Sequence, residues 1–223
     1  MELIKIHQKP IRDIRASPRN DGLILTASLD KTLKVTSVLS NNTVLTYQLD
    51  QPAWSCCWNY DYGNRLYCGL QNNVVLEFDL RNTSGAVKRF RGSDRASGPP
   101  IHSLDFVHLS QPPGTAESPS VGPSSAWTAI LAGDMQGPML FDLASEGVGE
   151  VPGESPSPIR LFAQADACPG ACTSVCFDQT TDTCLSVHRN PSLTKCWVRQ
   201  ACVLSIFLTK LFGCTVWYAC AWS

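Results

Sequence analysis

Three segments of the chain line up with one another, and such a repeat constrains the fold more than any other property of the sequence, because each copy must bury its faces against the next. The copies run from Leu23 to Thr36, from Arg65 to Asp79 and from Ile130 to Asp142. Each is an apolar strand ending in a small residue, a short polar turn and a second strand. The last two close on an aromatic-Asp pair, Phe78-Asp79 and Phe141-Asp142. A short strand precedes each copy, at Ile11 to Ile14, Ala53 to Trp58 and Ile101 to Phe106, and a weaker fourth copy begins at Cys172 to Asp178 and continues through Cys184 to Val187. The period is near the ~40–45 residues of a four-stranded propeller blade.

Short runs rich in Val, Leu, Ile, Tyr, Phe and Thr, bounded by Asn, Asp, Gly and Pro, give an all-β reading up to about residue 198. Inner blade strands are covered on both faces and read as nearly continuous apolar runs, as in Leu23-Ile24-Leu25 and Val74-Val75-Leu76. The reversals between second and third strands fall on Leu29-Asp30-Lys31, Gln71-Asn72-Asn73 and Gln136-Gly137. These are residue types that accept left-handed backbone angles or bond their own backbone. Glu2 to Ile6 is expected as an outer strand and Lys88-Arg89-Phe90-Arg91, with Arg95, as a solvated loop.

Thr26-Ala27-Ser28-Leu29-Asp30-Lys31-Thr32-Leu33-Lys34-Val35 is similar to the strand-turn-strand signature of the WD-repeat β-propeller family, and Phe78-Asp79-Leu80-Arg81 resembles its closing Trp-Asp with Phe for Trp. Pro52-Ala53-Trp54-Ser55-Cys56-Cys57-Trp58, Tyr67-Cys68-Gly69-Leu70 and Asp79-Leu80-Arg81-Asn82-Thr83-Ser84 narrow the likeness to the C-terminal propellers of RING-finger and WD-repeat E3 ubiquitin ligases that act with replication protein A. The resemblance implies an incomplete WD-repeat propeller of three to four blades in an open ring, where the family usually closes about seven. Both ends of such a run would expose strand edges and apolar faces, so a marginally stable or aggregation-prone product is expected. The resemblance also implies a nuclear protein-recognition module for DNA repair, with partners among replication protein A-type complexes or ubiquitination substrates. A generic WD-repeat scaffold of another complex is the alternative, and a metal-binding or membrane-tethered protein is the third reading.

The family's blade-stabilising hydrogen-bond chain implies His7 bonding Asp30 with Ser28 between them, and a fourth member at Thr36 where the family has Trp. In the second copy Leu70 and Asn72 stand at the Ser and Asp positions. Partner binding is placed by the resemblance on the face carrying the turns and inter-blade loops: Arg12, Lys31, Gln71, Asn72 and Gln136. Trp54 and Trp58 share one strand face, where they either pack between blades or anchor a peptide.

Catalysis finds no residues here. The chain has no phosphate-cradling glycine loop, no Gly-x-Ser-x-Gly elbow and no His-Glu-x-x-His helix. Its 11 cysteines include no pair separated by two residues, the spacing a zinc-binding RING requires, so no ubiquitin transfer is expected of these residues alone. Cys168, Cys172, Cys176, Cys184 and His188 have no common zinc spacing, a Cys68/His102 nucleophile pair rests on nothing but residue type, and no metal or cofactor is expected. With 18 Lys and Arg against 19 Asp and Glu, there is no global field to hold nucleic acid or an anionic membrane. Met1-Glu2-Leu3-Ile4-Lys5-Ile6 lacks the features of a secretory signal, which points to a reducing compartment and free thiols. The Pro/Ser/Gly-rich stretches 110–125 and 147–157 are expected as disordered loops, with Ser118, Ser155 and Ser157 as proline-directed phosphorylation candidates. Residues 199–223 form an apolar tail without strand-turn rhythm, read as a separate segment from an altered reading, a membrane anchor or a buried strand pair.

Overall fold

The computed structural model describes residues 4–19, 22–93, 98–109, 127–143, 157–161, 171–190 and 195–202. Every regular element among them is a β-strand, and the strands form four antiparallel sheets in sequence order. The first sheet holds β1 (Ile11–Ala16), β2 (Leu23–Ser28), β3 (Thr32–Ser37) and β4 (Asn42–Gln48). The second holds β5 (Ala53–Trp58), β6 (Arg65–Leu70), β7 (Val74–Asp79) and β8 (Lys88–Arg91). The third holds β9 (Ser103–Leu109), β10 (Trp127–Asp134), β11 (Gly137–Asp142) and β12 (Ile159–Arg160), and the fourth β13 (Ala171–Asp178), β14 (Thr183–Asn190) and β15 (Lys195–Cys202). Each sheet is a meander of local hairpins, the all-β blade arrangement that the repeat implied.

The register follows from the turns. Lys31 and Asn73 adopt φ of 64° and 62°, left-handed angles that let the chain reverse between second and third strands within a few residues. That fixes Leu25 opposite Val35 and Cys68 opposite Leu76, so one face of each hairpin is apolar throughout. Leu25, Leu33 and Val35 of the first sheet join Leu66, Cys68, Leu76 and Phe78 of the second in one buried cluster. Tyr67, Val75 and Phe90 meet Ile101, Ile130, Met139 and Phe141 in a second cluster, and Val107, Leu131 and Leu140 meet Cys172, Val175 and Cys184 in a third. The core is therefore three parallel seams between successive sheets. Each large side chain buried there contributes about 1.5–3 kcal/mol.

Polar stitches fix how neighbouring sheets meet. The Trp58 indole N–H donates to the Arg15 carbonyl at 3.1 Å, and the Cys56 amide donates to Asp13 Oδ2 at 2.9 Å. The Ser55 hydroxyl donates to the Ile101 carbonyl at 2.6 Å, and the Ser103 hydroxyl to the Val175 carbonyl at 3.0 Å. At Gly69 a Cβ would lie 2.7 Å from Ile101 Cγ2 and 2.8 Å from the Ile101 carbonyl oxygen, so only glycine lets the second and third sheets close to this distance.

Three sequence expectations change. Glu2 to Ile6 was expected as a strand, but residues 4–6 carry no strand pairing among the described residues; the Lys34 ammonium holds the Ile6 carbonyl at 2.8 Å instead. Lys88 to Arg91 is not a loop. It pairs with β7 as the outer strand β8, burying Phe90 on one face while Lys88, Arg89 and Arg91 stay in water. A lone apolar residue among cations is enough for a strand at a sheet edge, where charge also discourages further pairing. Pairing in β15 runs to Cys202, opposite Thr183. The loops at 110–125 and 147–156 and the tail from 203 onward lie outside the described residues, as do Ser118 and Ser155; Ser157 is exposed.

Candidate functional site

In the first sheet a polar network ties the segment before β1 to the hairpin turn. His7 Nδ1 lies 3.0 Å from Asp30 Oδ2 and its Nε2 lies 2.8 Å from the Thr26 hydroxyl. Asp30 also accepts from the Thr32 hydroxyl at 2.6 Å, the Thr32 amide at 3.1 Å and the Gln8 amide at 3.0 Å. The hydroxyl that continues the chain beyond His7 is that of Thr26. Ser28, expected in that place, turns the other way and donates to the Lys9 and Pro10 carbonyls, both at 3.1 Å. Thr26 and Ser28 share a face, but Thr26 sits one pleat deeper, and its hydroxyl also lies 3.4 Å from the Lys34 carbonyl; the Thr36 hydroxyl is buried and makes no hydrogen bond. Burial favours the neutral imidazole and, against the bond and charge of Asp30, keeps the His7 pKa below 6.5. For Asp30 burial acts upward, but the bonds from Thr32, Gln8 and His7 outweigh it and hold the carboxyl far below the ordinary range.

The third sheet solves the same turn differently. Asp134, fully buried, receives the Arg160 guanidinium at 3.0 and 2.8 Å, the Asn73 amide group at 3.0 Å, and the Gln136 and Gly137 backbone amides at 2.8 and 3.1 Å. Arg160, from the outer strand β12, supplies the cation, and Asn73 reaches across from the second sheet. Arg160 was not singled out from the sequence, and Asn73 was read there only as a turn residue. The available signal was an acid at a turn position, Asp134; the imidazole before this blade, His102, stands directly ahead of β9, and no hydrogen bond joins it to the Asp134 carboxylate.

The closing pairs divide in role. Phe78 and Phe141 are fully buried, Phe78 with its ring centroid 4.5 Å from Tyr47 and Phe141 at 5.7 Å from Phe90. Asp79 is bound by the Arg81 guanidinium at 2.7 and 3.0 Å, which holds its pKa down at about 2, and its carbonyl accepts from the Tyr47 hydroxyl at 3.0 Å. Asp142 is half-buried.

At the turn end of the sheets the first strands share an irregularity. β1 bulges between Ile11 and Asp13, β5 between Ala53 and Ser55, and β13 between Cys172 and Ser174, leaving Arg12, Trp54 and Thr173 as the extra residues. The first strands pack side by side from sheet to sheet, and their starting ends adjoin the turns that hold Lys31, Gln71, Asn72 and Gln136. The Arg12 guanidinium lies over the Trp54 ring, 4.3 Å from its centroid. Arg12, Lys31, Gln71 and Gln136 are exposed, whereas Trp54 and Asn72 are half-buried. The Lys31 ammonium donates to the Asp50 carbonyl at 3.0 Å. His102 stands just before β9 in the third sheet; burial, and to a smaller extent the Arg12 charge, keep it below 6.5 against the Asp134 and Cys172 carbonyls.

The cysteines do not converge. Cys172 and Cys184 are buried in the third seam, Cys176 is exposed, and His188 is buried with its Nε2 3.1 Å from the Ser186 hydroxyl; Cys168 lies outside the described residues. Among the described residues no three His, Cys, Asp or Glu side chains are grouped to hold a metal. Cys68 is buried in the seam between the first and second sheets, and the groups acting on His102 are Asp134, Cys172 and Arg12, so no interaction joins that pair. Burial pushes the Cys56, Cys57, Cys68 and Cys184 thiols well up, the opposite of an activated nucleophile.

Residues 1–210 match the family described as the E3 ubiquitin-protein ligase RFWD3 WD40 domain. The chain belongs to that family. It is 32% identical over 188 residues to E3 ubiquitin-protein ligase RFWD3 of Ailuropoda melanoleuca, covering 84% of this chain and 21% of the relative. To the Homo sapiens ligase of the same name it is 46% identical over 106 residues, covering 48% of this chain and 13% of the relative. The chain thus spans about a fifth or less of the length of these curated relatives. Among solved structures it superposes on the WD40 repeats of RRP9 with a TM-score of 0.58 and 13% identity, and on U3-55K with 0.59 and 12%; each match covers 89% of this chain and 50% of the other. These structures share the blade fold. An RFWD3-type WD40 domain is a protein-interaction module related to an E3 ligase, and the rim of Arg12, Trp54, Lys31, Gln71, Asn72 and Gln136 lies at one end of it.

Proposed function

We propose that the chain is the partner-recognition part of an RFWD3-type ubiquitin ligase, acting in the nucleus on a replication protein A-type single-strand-binding complex or on ubiquitination substrates during replication-stress and crosslink repair. The observation that carries this reading is the match to the RFWD3 WD40 domain across residues 1–210. One feature supports it: the turn face offers exposed polar and cationic groups around a half-buried Trp54. The module's part is to position a partner, and ubiquitin transfer falls to a RING supplied separately. Partner contacts at Arg12, Lys31, Gln71, Asn72, Gln136 and Trp54 follow from this reading.

The test is retention of purified replication protein A by the immobilised 223-residue chain. Retention that is lost in Trp54→Ala is expected. A chain with an intact strand circular-dichroism spectrum that retains none would overturn the reading.

A further inference from the structure

The rim carries an imbalance of charge. Among the described residues Arg12 is exposed and its guanidinium is in no hydrogen bond or ion pair; it lies over the Trp54 face at 4.3 Å, with the buried His102 near enough to feel its charge. Lys9, exposed just before β1, is likewise in no ion pair among the described residues. Among the described residues, four acids of the first three sheets are engaged elsewhere. Asp30 is held by His7, Gln8 and Thr32, and Asp50 by Arg89 at 3.2 Å. Asp134 is closed off by Arg160 and Asn73, and Asp13 accepts the Ile14 and Cys56 amides. Beneath Arg12 the Trp54 indole N–H is buried without an acceptor, and the Asn72 side-chain oxygen is buried without a donor.

A guanidinium held over an aromatic ring is partly pre-ordered, because its stem has lost rotamer freedom, and its unbonded N–H groups can meet a carboxylate with charge-assisted bonds. The β-bulge that makes Arg12 the extra residue of its strand is what sets it at the mouth of the sheets and not in the ladder. The indole N–H and the Asn72 oxygen are closed to solvent, so the accessible recognition element at this place is the Arg12 guanidinium itself. From these placements we propose that Arg12 on Trp54 is an anchor for the carboxylate of an acidic residue in a partner peptide, with Lys9 adding to the local field. The proposal rests on the recognition reading above and names the chemistry of its partner.

The experiment uses four fluorescein-labelled oriented peptide libraries, with a central Glu, Gln, Lys or phosphoserine flanked by randomised positions, and reads anisotropy against the full chain at low and high salt. The Glu library should bind tightest, weakening with salt. Arg12→Ala should weaken it by about tenfold or more, the usual loss for a charge-assisted bond; Arg12→Lys should restore only part, and Lys88→Ala, the same charge change on the outer strand β8, should leave it unchanged. Equal binding of the Glu and Gln libraries, preference for phosphoserine with Glu no better than Gln, or equal losses in Arg12→Ala and Lys88→Ala would each overturn the carboxylate anchor. Replication protein A retained equally by the wild type and by Arg12→Ala would remove this anchor while leaving the recognition reading intact. Failure of the wild type to retain it, with Glu-library binding preserved, would remove the reading of the partner and leave the anchor.

Discussion

Replacing Asp134 by Ala should destabilise the chain more than any surface change, and its size follows from what the carboxylate holds. Five hydrogen bonds end on it: two from Arg160, one from Asn73 and two from backbone amides. The Asp134 side chain has no exposure, but 31% of the Arg160 side chain reaches water. Removing one partner of a fully buried pair costs about 3–5 kcal/mol, and partial hydration of the stranded guanidinium places the change near the lower end, about 3 kcal/mol. For a chain of this length that lowers Tm by about 6–12 °C, at about 2–4 °C per kcal/mol. Burial acts to raise the Asp134 pKa, yet the Arg160 and Asn73 bonds outweigh it and keep the folded value below 3.8. A depressed carboxyl contributes in full above its unfolded pKa and is lost as pH falls through the folded one, so the wild-type advantage over the variant should hold at neutral pH and shrink below about pH 4. Thermal unfolding followed by tryptophan fluorescence, with Arg160→Ala and the double variant completing a cycle, measures this. A Tm drop below about 2 °C, or strictly additive single changes, would refute the latch between β10, β12 and the second sheet.

Other outcomes follow from the same geometry. His7→Ala removes contacts to Thr26, Asp30 and Thr32 and should cost about 2 kcal/mol, with hydrogen exchange rising first in residues 4–10. Because burial holds His7 below 6.5, its neutral form is the folded one; its contribution is complete above that value and declines as pH falls toward the folded pKa, which unfolding curves between pH 7 and pH 5 would register. Gly69→Ala should separate the second and third sheets at Ser55 and Ile101 and cost about 1–3 kcal/mol, read by chemical denaturation. Iodoacetamide under native conditions should label Cys176 and spare the buried Cys56, Cys57, Cys68 and Cys184, as peptide mass mapping would record.

The hairpins were legible because their signals are local. Apolar runs and Asp, Asn and Gly turns sit within ~15 residues of one another, and Leu23 to Ser37 and Arg65 to Asp79 fold as those signals direct. The outer strand β8 was not, because its single buried residue, Phe90, is outnumbered by cations and its pairing depends on an edge supplied by β7. Thr26 in place of Ser28 was hidden by their shared face, since period alone does not tell which of two hydroxyls lies deeper beneath His7. Arg160 and Asn73 lie 26 and 61 positions from the acid they serve, and nothing in local sequence joins groups so far apart. The expected rim residues do share one end of the sheets, but the stacking of Arg12 on Trp54 required the two bulges, which leave no mark in hydrophobic pattern.

The central claim is that successive sheets bury their faces against one another along three seams, and methyl-to-methyl and methyl-to-aromatic NOEs on the isotope-labelled chain test it most directly. Cross-peaks should join Leu33 and Val35 to Leu76 and Phe78, Val75 to Ile101 and Ile130, and Val107 and Leu131 to Val175. Strong cross-peaks from Leu25 or Leu33 to Val175, with those three sets missing, would contradict it.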